Sequence, residues 1–267
     1  FGSNYQDFTR FYAADLPIAG DAQATVPYLI EALRERISNR RASQIADRRD
    51  RWETAHASRR QASIDAARYA WDATPISTAR MSLELYDLVK DKDWALTAPD
   101  NLHGSWENRL WDIERHYQTN GTSGAYGQGY GASSAVGAAL GHREHGRLPI
   151  CITGDGDTMY VPGVHWTAAH HQIPLLTVVH NNRAYHQEVM HVQKTASWRQ
   201  RGVDKGVDPG NIIDDPAIDF AALAGSMGVF STGPVTSPSE LRSALAQAVD
   251  VVEQGEPALV DVVSQPR

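Results

Sequence analysis

"GDGDTMYVPGVHWTAAHHQIPLLTVVHNN", residues 154–182, opens with a carboxylate between two glycines and closes on two asparagines. Each end follows an apolar run, LPICIT at 148–153 and PLLTVVH at 174–180, and a helix-length stretch from about Gly163 to Gln172 lies between them. A right-handed strand–helix–strand crossover makes the two strands parallel and brings their C-terminal ends to one edge of a sheet. Ligands of open α/β sheets bind at that edge. Asp155 and Asn182, 27 positions apart, are therefore expected to converge on one site. The glycines beside Asp155 admit close backbone approach and expose N–H groups that suit an anion.

One carboxylate, one amide oxygen and nearby N–H groups match the needs of magnesium, which prefers all-oxygen octahedral shells built from few carboxylates and ligand phosphates. Asp155, the Asn182 side-chain oxygen, a backbone carbonyl just beyond it, two phosphate oxygens and a water would complete that shell. A diphosphate held through Mg²⁺ explains the two oxygen-rich turns together. Either turn alone would read only as loop chemistry.

Outward from this stretch the pattern stays regular. WALTAP reads as a strand, DNLHGS as a turn, and the next residues as a helix running to about His116. The glycine-rich GTSGAYGQGYGASSAVGAALG leads into a small-residue helix. IDFAALAGSMG reads as a helix, VFSTGPV as a short strand and PALVDVVSQ as the last strand. Between these last two strands, Ser237 as N-cap, Pro238 in the first turn and Glu240 completing a capping box mark a helix start. Strands alternating with helices predict an α/β fold, a doubly wound and mostly parallel sheet with helices on both faces. Residues 76–267 form this domain. Residues 1–33 read as the end of a central α/β domain. Residues 34–75, rich in arginine, without glycine and closed by Pro75, read as a solvated linker helix.

The chain of 267 residues is 42% hydrophobic and carries a formal net charge of −7, which supplies a full core and argues against a nucleic-acid-binding surface. No apolar run approaches a membrane span and no secretory signal opens the chain. The single cysteine, Cys151, lies inside an apolar run and reads as core; a cytoplasmic location is expected. The first residue is Phe1 rather than methionine, and a fragment or a processed chain is expected. His165, His170, His171, His180, His186 and His191 show no zinc-ligand spacing and read as core or solvated side chains.

The stretch from Gly154 to Asn182 resembles the signature of thiamine diphosphate (ThDP) enzymes, a GDG followed at this spacing by NN. Over residues 76–267 the chain is similar to the C-terminal, diphosphate-binding domain of the acetolactate synthase, pyruvate decarboxylase and 2-hydroxyacyl-CoA lyase superfamily. That resemblance implies Asp155 and Asn182 as side-chain metal ligands and Ala184 as the backbone ligand. It implies backbone approach to the cofactor at Gly156 and Asp157, and places Tyr185 beside the diphosphate. Leu102 and His103 in DNLHGSW match a loop that contacts the diphosphate. Tyr126 would offer its carbonyl to the aminopyrimidine, and Gln128 stands where the family has a bulky apolar wedge. Asp157 is a second departure, at a position usually small or hydroxyl-bearing.

The resemblance implies a ThDP- and Mg²⁺-dependent enzyme that cleaves or forms a C–C bond next to a carbonyl. Glu188 matches a proton-handling glutamate of pyruvate decarboxylases, where acetolactate synthases carry an apolar residue. It favours a lyase or decarboxylase acting on a small-molecule substrate, a 2-keto acid or 2-hydroxyacyl-CoA. The alternative is an acetolactate synthase-type carboligase. The activating glutamate of the family lies on an N-terminal pyrimidine-binding domain, usually of a second subunit. A homodimer or homotetramer is therefore expected, and this segment alone is expected to be inactive. From outside the family, a nucleotide-binding dehydrogenase would need GxGxxG directly after a strand, a context that GQGYGA lacks. A non-catalytic cofactor-binding module would dispense with Asp155 or Asn182, and both are present.

Overall fold

The computed structural model describes residues 15–98, 105–120, 127–203 and 207–266. The chain divides into two compact units, Phe1–Arg59 and Arg60–Arg267. In the first, helix α1 (Ala22–Arg36) starts where Asp21 accepts the Ala24 N–H at 2.7 Å, and none of its residues is buried. Helix α2 (Asn39–Ala67) crosses the boundary, and Ala67 is its sole buried residue. Apart from Arg60, which is half-buried and pairs with Asp112 at 3.0 Å, its arginines and glutamines face water, as the lack of hydrophobic periodicity requires.

The second unit is built on five strands: β1 (Trp94–Ala98), β2 (Leu148–Gly154), β3 (Leu176–Asn181), β4 (Phe230–Val235) and β5 (Ala258–Val263). They form one sheet in the order β1-β2-β3-β5-β4 with every pairing parallel. Successive side chains of a strand point to opposite faces, and separate cores form on the two faces of the sheet. Leu148, Ile150 and Ile152 of β2 and Leu176 and Val178 of β3 join one core with helices α3 (Thr78–Val89) and α10 (Pro238–Glu253). Cys151, between them, enters another with α5 (Tyr130–Arg143) and α7 (Val164–His170). Val179 and Leu259 meet α9 (Phe220–Gly225) on the same side. The doubly wound parallel sheet is thus present, with helices on both faces. Among the described residues no helix is long and apolar enough to cross a membrane.

Three local expectations are corrected. The helix after the DNLHGS turn, α4 (Trp106–Leu110), ends well short of His116. Trp111 leaves it to stack on Tyr86 at 5.1 Å between ring centres, its indole N–H donating to the Ser82 carbonyl at 3.2 Å and hydroxyl at 3.1 Å. Tertiary anchoring outweighs helix propensity there. The crossover after β2 contains two helices: α6 (Asp155–Tyr160) starts at Asp155 itself and is separated from α7 by Val161, Pro162 and Gly163. The capping box at Ser237 does not form. That hydroxyl bonds the Ser239 hydroxyl at 2.8 Å, and the turn is closed by the Glu240 N–H on the Ser237 carbonyl at 3.1 Å.

Candidate functional site

The C-terminal ends of β2 and β3 deliver the two oxygen-bearing side chains. Asp155 is 2% exposed. One of its oxygens accepts the Gly156 N–H at 2.7 Å and the other the Ala184 N–H at 3.3 Å. Asn182 Oδ1 accepts that same Ala184 N–H at 3.0 Å. A single backbone donor is therefore shared by side chains 27 positions apart. Arg183 makes this possible. With φ of 59° it holds the left-handed conformation, turning the chain so that the next N–H points back toward β2. A non-glycine residue pays about 1 kcal/mol for that conformation. Two backbone bonds offset it, from the Ile213 N–H to the Arg183 carbonyl at 2.9 Å and from the Tyr185 N–H to the Asn211 carbonyl at 2.8 Å.

Burial pushes the Asp155 carboxyl up to about 6, opposed by the N–H groups of Gly156, Arg183 and Ala184 and reinforced by the charge of Asp261. A cation beside it would favour the ionised form.

A cavity of about 80 Å³ opens on this pair and is also lined by Gln128, Gly156, Asp157, Ala184, Tyr185 and Glu188. Leu102, His103 and Tyr126 lie outside the described residues. The backbone face of Gly156 is covered by the Tyr185 ring: a Cβ at Gly156 would sit 2.5 Å from Tyr185 Cε1. The Tyr185 ring also meets Tyr160 edge-on at 6.2 Å. The Asp157 carboxylate turns away toward the start of α5, accepting the Gly129 N–H and, at 3.2 Å, the Thr153 hydroxyl. That structural task accounts for an acid at this position.

Glu188 lies in the first turn of helix α8 (His186–Trp198), on the cavity rim, with its side chain 58% exposed and 3.6 Å from His191 Nδ1. His180, expected only as a core or solvated side chain, also belongs to this site. It is 4% exposed, lines the same cavity, and joins Ser264 Oγ through Nδ1 and Asn182 Nδ2 through Nε2. The sequence showed only that it stands two residues before Asn182; its partner Ser264 is 84 positions away.

The chain is similar to known proteins in sequence and fold. A profile described as thiamine pyrophosphate enzyme, C-terminal TPP binding domain, matches residues 102–262. A protein named "Probable acetolactate synthase large subunit" from Methanococcus aeolicus is 26% identical over 258 residues, 94% of this chain and 40% of that protein. The acetolactate synthase isozyme 3 large subunit of Escherichia coli is 23% identical over 254 residues, 95% of this chain and 41% of that one. The chain thus spans about two fifths of these relatives' length. Among solved structures, the thiamine diphosphate-dependent 4-hydroxybenzoylformate decarboxylase of Rhodococcus jostii superposes with a TM-score of 0.55 at 24% identity, over 69% of this chain and 32% of that one.

Proposed function

The chain belongs to the thiamine pyrophosphate enzymes, matching their C-terminal TPP binding domain, and from that premise we propose that it forms the diphosphate-holding part of an enzyme breaking or forming a C–C bond beside a carbonyl. The observation that carries the site is the Ala184 N–H shared between Asp155 and Asn182. It supports Asp155, the Asn182 amide oxygen and the Ala184 carbonyl as ligands for Mg²⁺. Their chemistry fits: the donors are all oxygen, with a single carboxylate, as expected for magnesium that also takes phosphate oxygens and water. Gly156, Asp157, Gln128 and Tyr185 line the cavity beside them and are the proposed cofactor contacts, with Leu102, His103 and Tyr126.

When bound, ThDP supplies a carbanion centre that adds to a carbonyl carbon and takes up the electron pair of the breaking bond. The chain's own residues orient the diphosphate and move protons. Glu188, on the cavity rim, is the proposed acid and base at the substrate carbon or its hydroxyl. This reading favours a lyase or decarboxylase acting on a 2-keto acid or 2-hydroxyacyl-CoA. A carboligase is the second reading, favoured by similarity to acetolactate synthase large subunits. We further propose that an N-terminal pyrimidine-binding domain from a second subunit completes the site, in a cytoplasmic homodimer or homotetramer. Domain limits at 1–33, 34–75 and 76–267 belong to the same proposal.

In the full-length protein, Asp155→Ala and Asn182→Ala are each expected to abolish Mg²⁺-dependent ThDP binding while the fold persists. Calorimetry returning wild-type ThDP affinity in both variants would remove the assignment. Mass spectrometry of products from pyruvate and from 2-hydroxyacyl-CoAs separates the two readings of the chemistry.

A further inference from the structure

Asn182 is the ligand that needs the most help. Its amide presents an oxygen on one side and an NH₂ on the other, and the two are nearly equal in size. Rotation by half a turn would replace an oxygen donor by hydrogens aimed at the cation. Two neighbours of opposite character oppose that rotation. The Ala184 N–H, 3.0 Å from Oδ1, accepts nothing and so demands an oxygen. On the other side Nδ2 lies 3.2 Å from His180 Nε2. An amide NH₂ can only donate, so Nε2 must present its lone pair and the imidazole proton must reside on Nδ1. From there it is donated to the Ser264 hydroxyl. Ser264 is 3% exposed, and its own N–H is anchored on the Asn181 carbonyl at 3.0 Å. The end of β5 thus holds the imidazole, and the imidazole holds the amide.

We propose that His180 and Ser264 are positioning residues that fix the orientation of Asn182 for metal binding; this rests on the reading of Asn182 as a metal ligand. Neither residue touches the substrate or the metal in this scheme. Partners that orient a metal ligand from behind typically contribute about 10- to 100-fold in metal affinity.

The chain's residues predict distinct results for three variants. His180→Leu keeps a buried side chain of comparable bulk but deletes both hydrogen bonds. Ser264→Ala removes one oxygen atom, releasing the imidazole proton to move to Nε2, where it would face the asparagine NH₂. His180→Gln keeps an acceptor oxygen for Asn182. Full-length protein is titrated with Mn²⁺ in the presence of ThDP and followed by electron paramagnetic resonance, alongside metal-free thermal unfolding. His180→Leu is expected to weaken Mn²⁺ binding about 10- to 100-fold. Ser264→Ala is expected to weaken it less, with little change in metal-free unfolding, and His180→Gln to restore most of the affinity. Should His180→Leu fail to fold, Ser264→Ala carries the test. Wild-type Mn²⁺ affinity in the folded His180 and Ser264 variants, with Asp155→Ala deficient, would overturn the positioning role alone. Wild-type affinity in Asp155→Ala would overturn the site itself. Glutamine as weak as leucine at position 180 would also refute the role, because it would assign the loss to packing.

Discussion

His165 lies on α7 at 5% exposure, and among the described residues its Nε2 has no hydrogen-bond partner. Burial lowers its imidazole to about 4 from an ordinary 6.5. The folded state therefore holds it neutral while the unfolded chain takes up a proton. Stability is fully present above the ordinary value and is lost as pH falls from about 6.5 toward 4, by about 3 kcal/mol at most. His165→Met removes the group, so the variant is expected to lose less stability than wild type over that interval in denaturant titrations. Asp261 acts in the other direction: burial raises its carboxyl to about 6, so its penalty grows as pH rises from about 4 through 6. Glu188→Gln keeps size and hydrogen bonding but not the exchangeable proton. An acid–base role predicts a kcat loss of about 10²- to 10⁴-fold with ThDP affinity nearly unchanged. Near-normal turnover would reduce Glu188 to a rim residue. Asp155 and Asn182 were legible because each directly follows an apolar strand. The part played by His180 was not, because it depends on Ser264, 84 positions away.

Elements converge where Asp157 of α6 receives the Gly129 N–H at the start of α5 and the hydroxyl of Thr153 on β2. One carboxylate thereby joins a strand and two helices around the cavity. Asp157→Ala leaves these donors without an acceptor, and an unsatisfied donor of this kind costs about 1–3 kcal/mol. Chemical denaturation should register that loss, and ThDP affinity should fall with it because the start of α5 loses its anchor. A neutral effect on both would show the join to be incidental. The strands and long helices could be read from hydrophobic period alone. The overrun at α4 had a different cause: what stops that helix is Ser82 and Tyr86 on α3, which hold Trp111 and, through the Tyr86 hydroxyl, the Asp112 N–H at 3.0 Å. No signal near residue 110 encodes this.

At the scale of the molecule, the alternation of strands and helices announced a parallel sheet but not its order. A short crossover makes β2 and β3 neighbours; that β5 lies between β3 and β4 rests on a pairing of β3 with β5 that no local pattern marks. The chain spans about two fifths of its acetolactate synthase relatives. With the site proposed to be shared between subunits, residues 1–267 expressed alone are expected to show no turnover of pyruvate. The full-length protein is expected to be at least dimeric by light scattering. An active, strictly monomeric enzyme would contradict both. The sheet order also governs how the domain can be made. β5 is the last of the five strands to leave the ribosome, yet it is the one that zips β3 to β4 and carries Ser264 to His180. Until it emerges, β3 and β4 wait with open edges and the cofactor cradle lacks its back wall. Nascent chains stalled before residue 258 should accordingly remain open to protease and to chaperones, and gain resistance only once this strand is released.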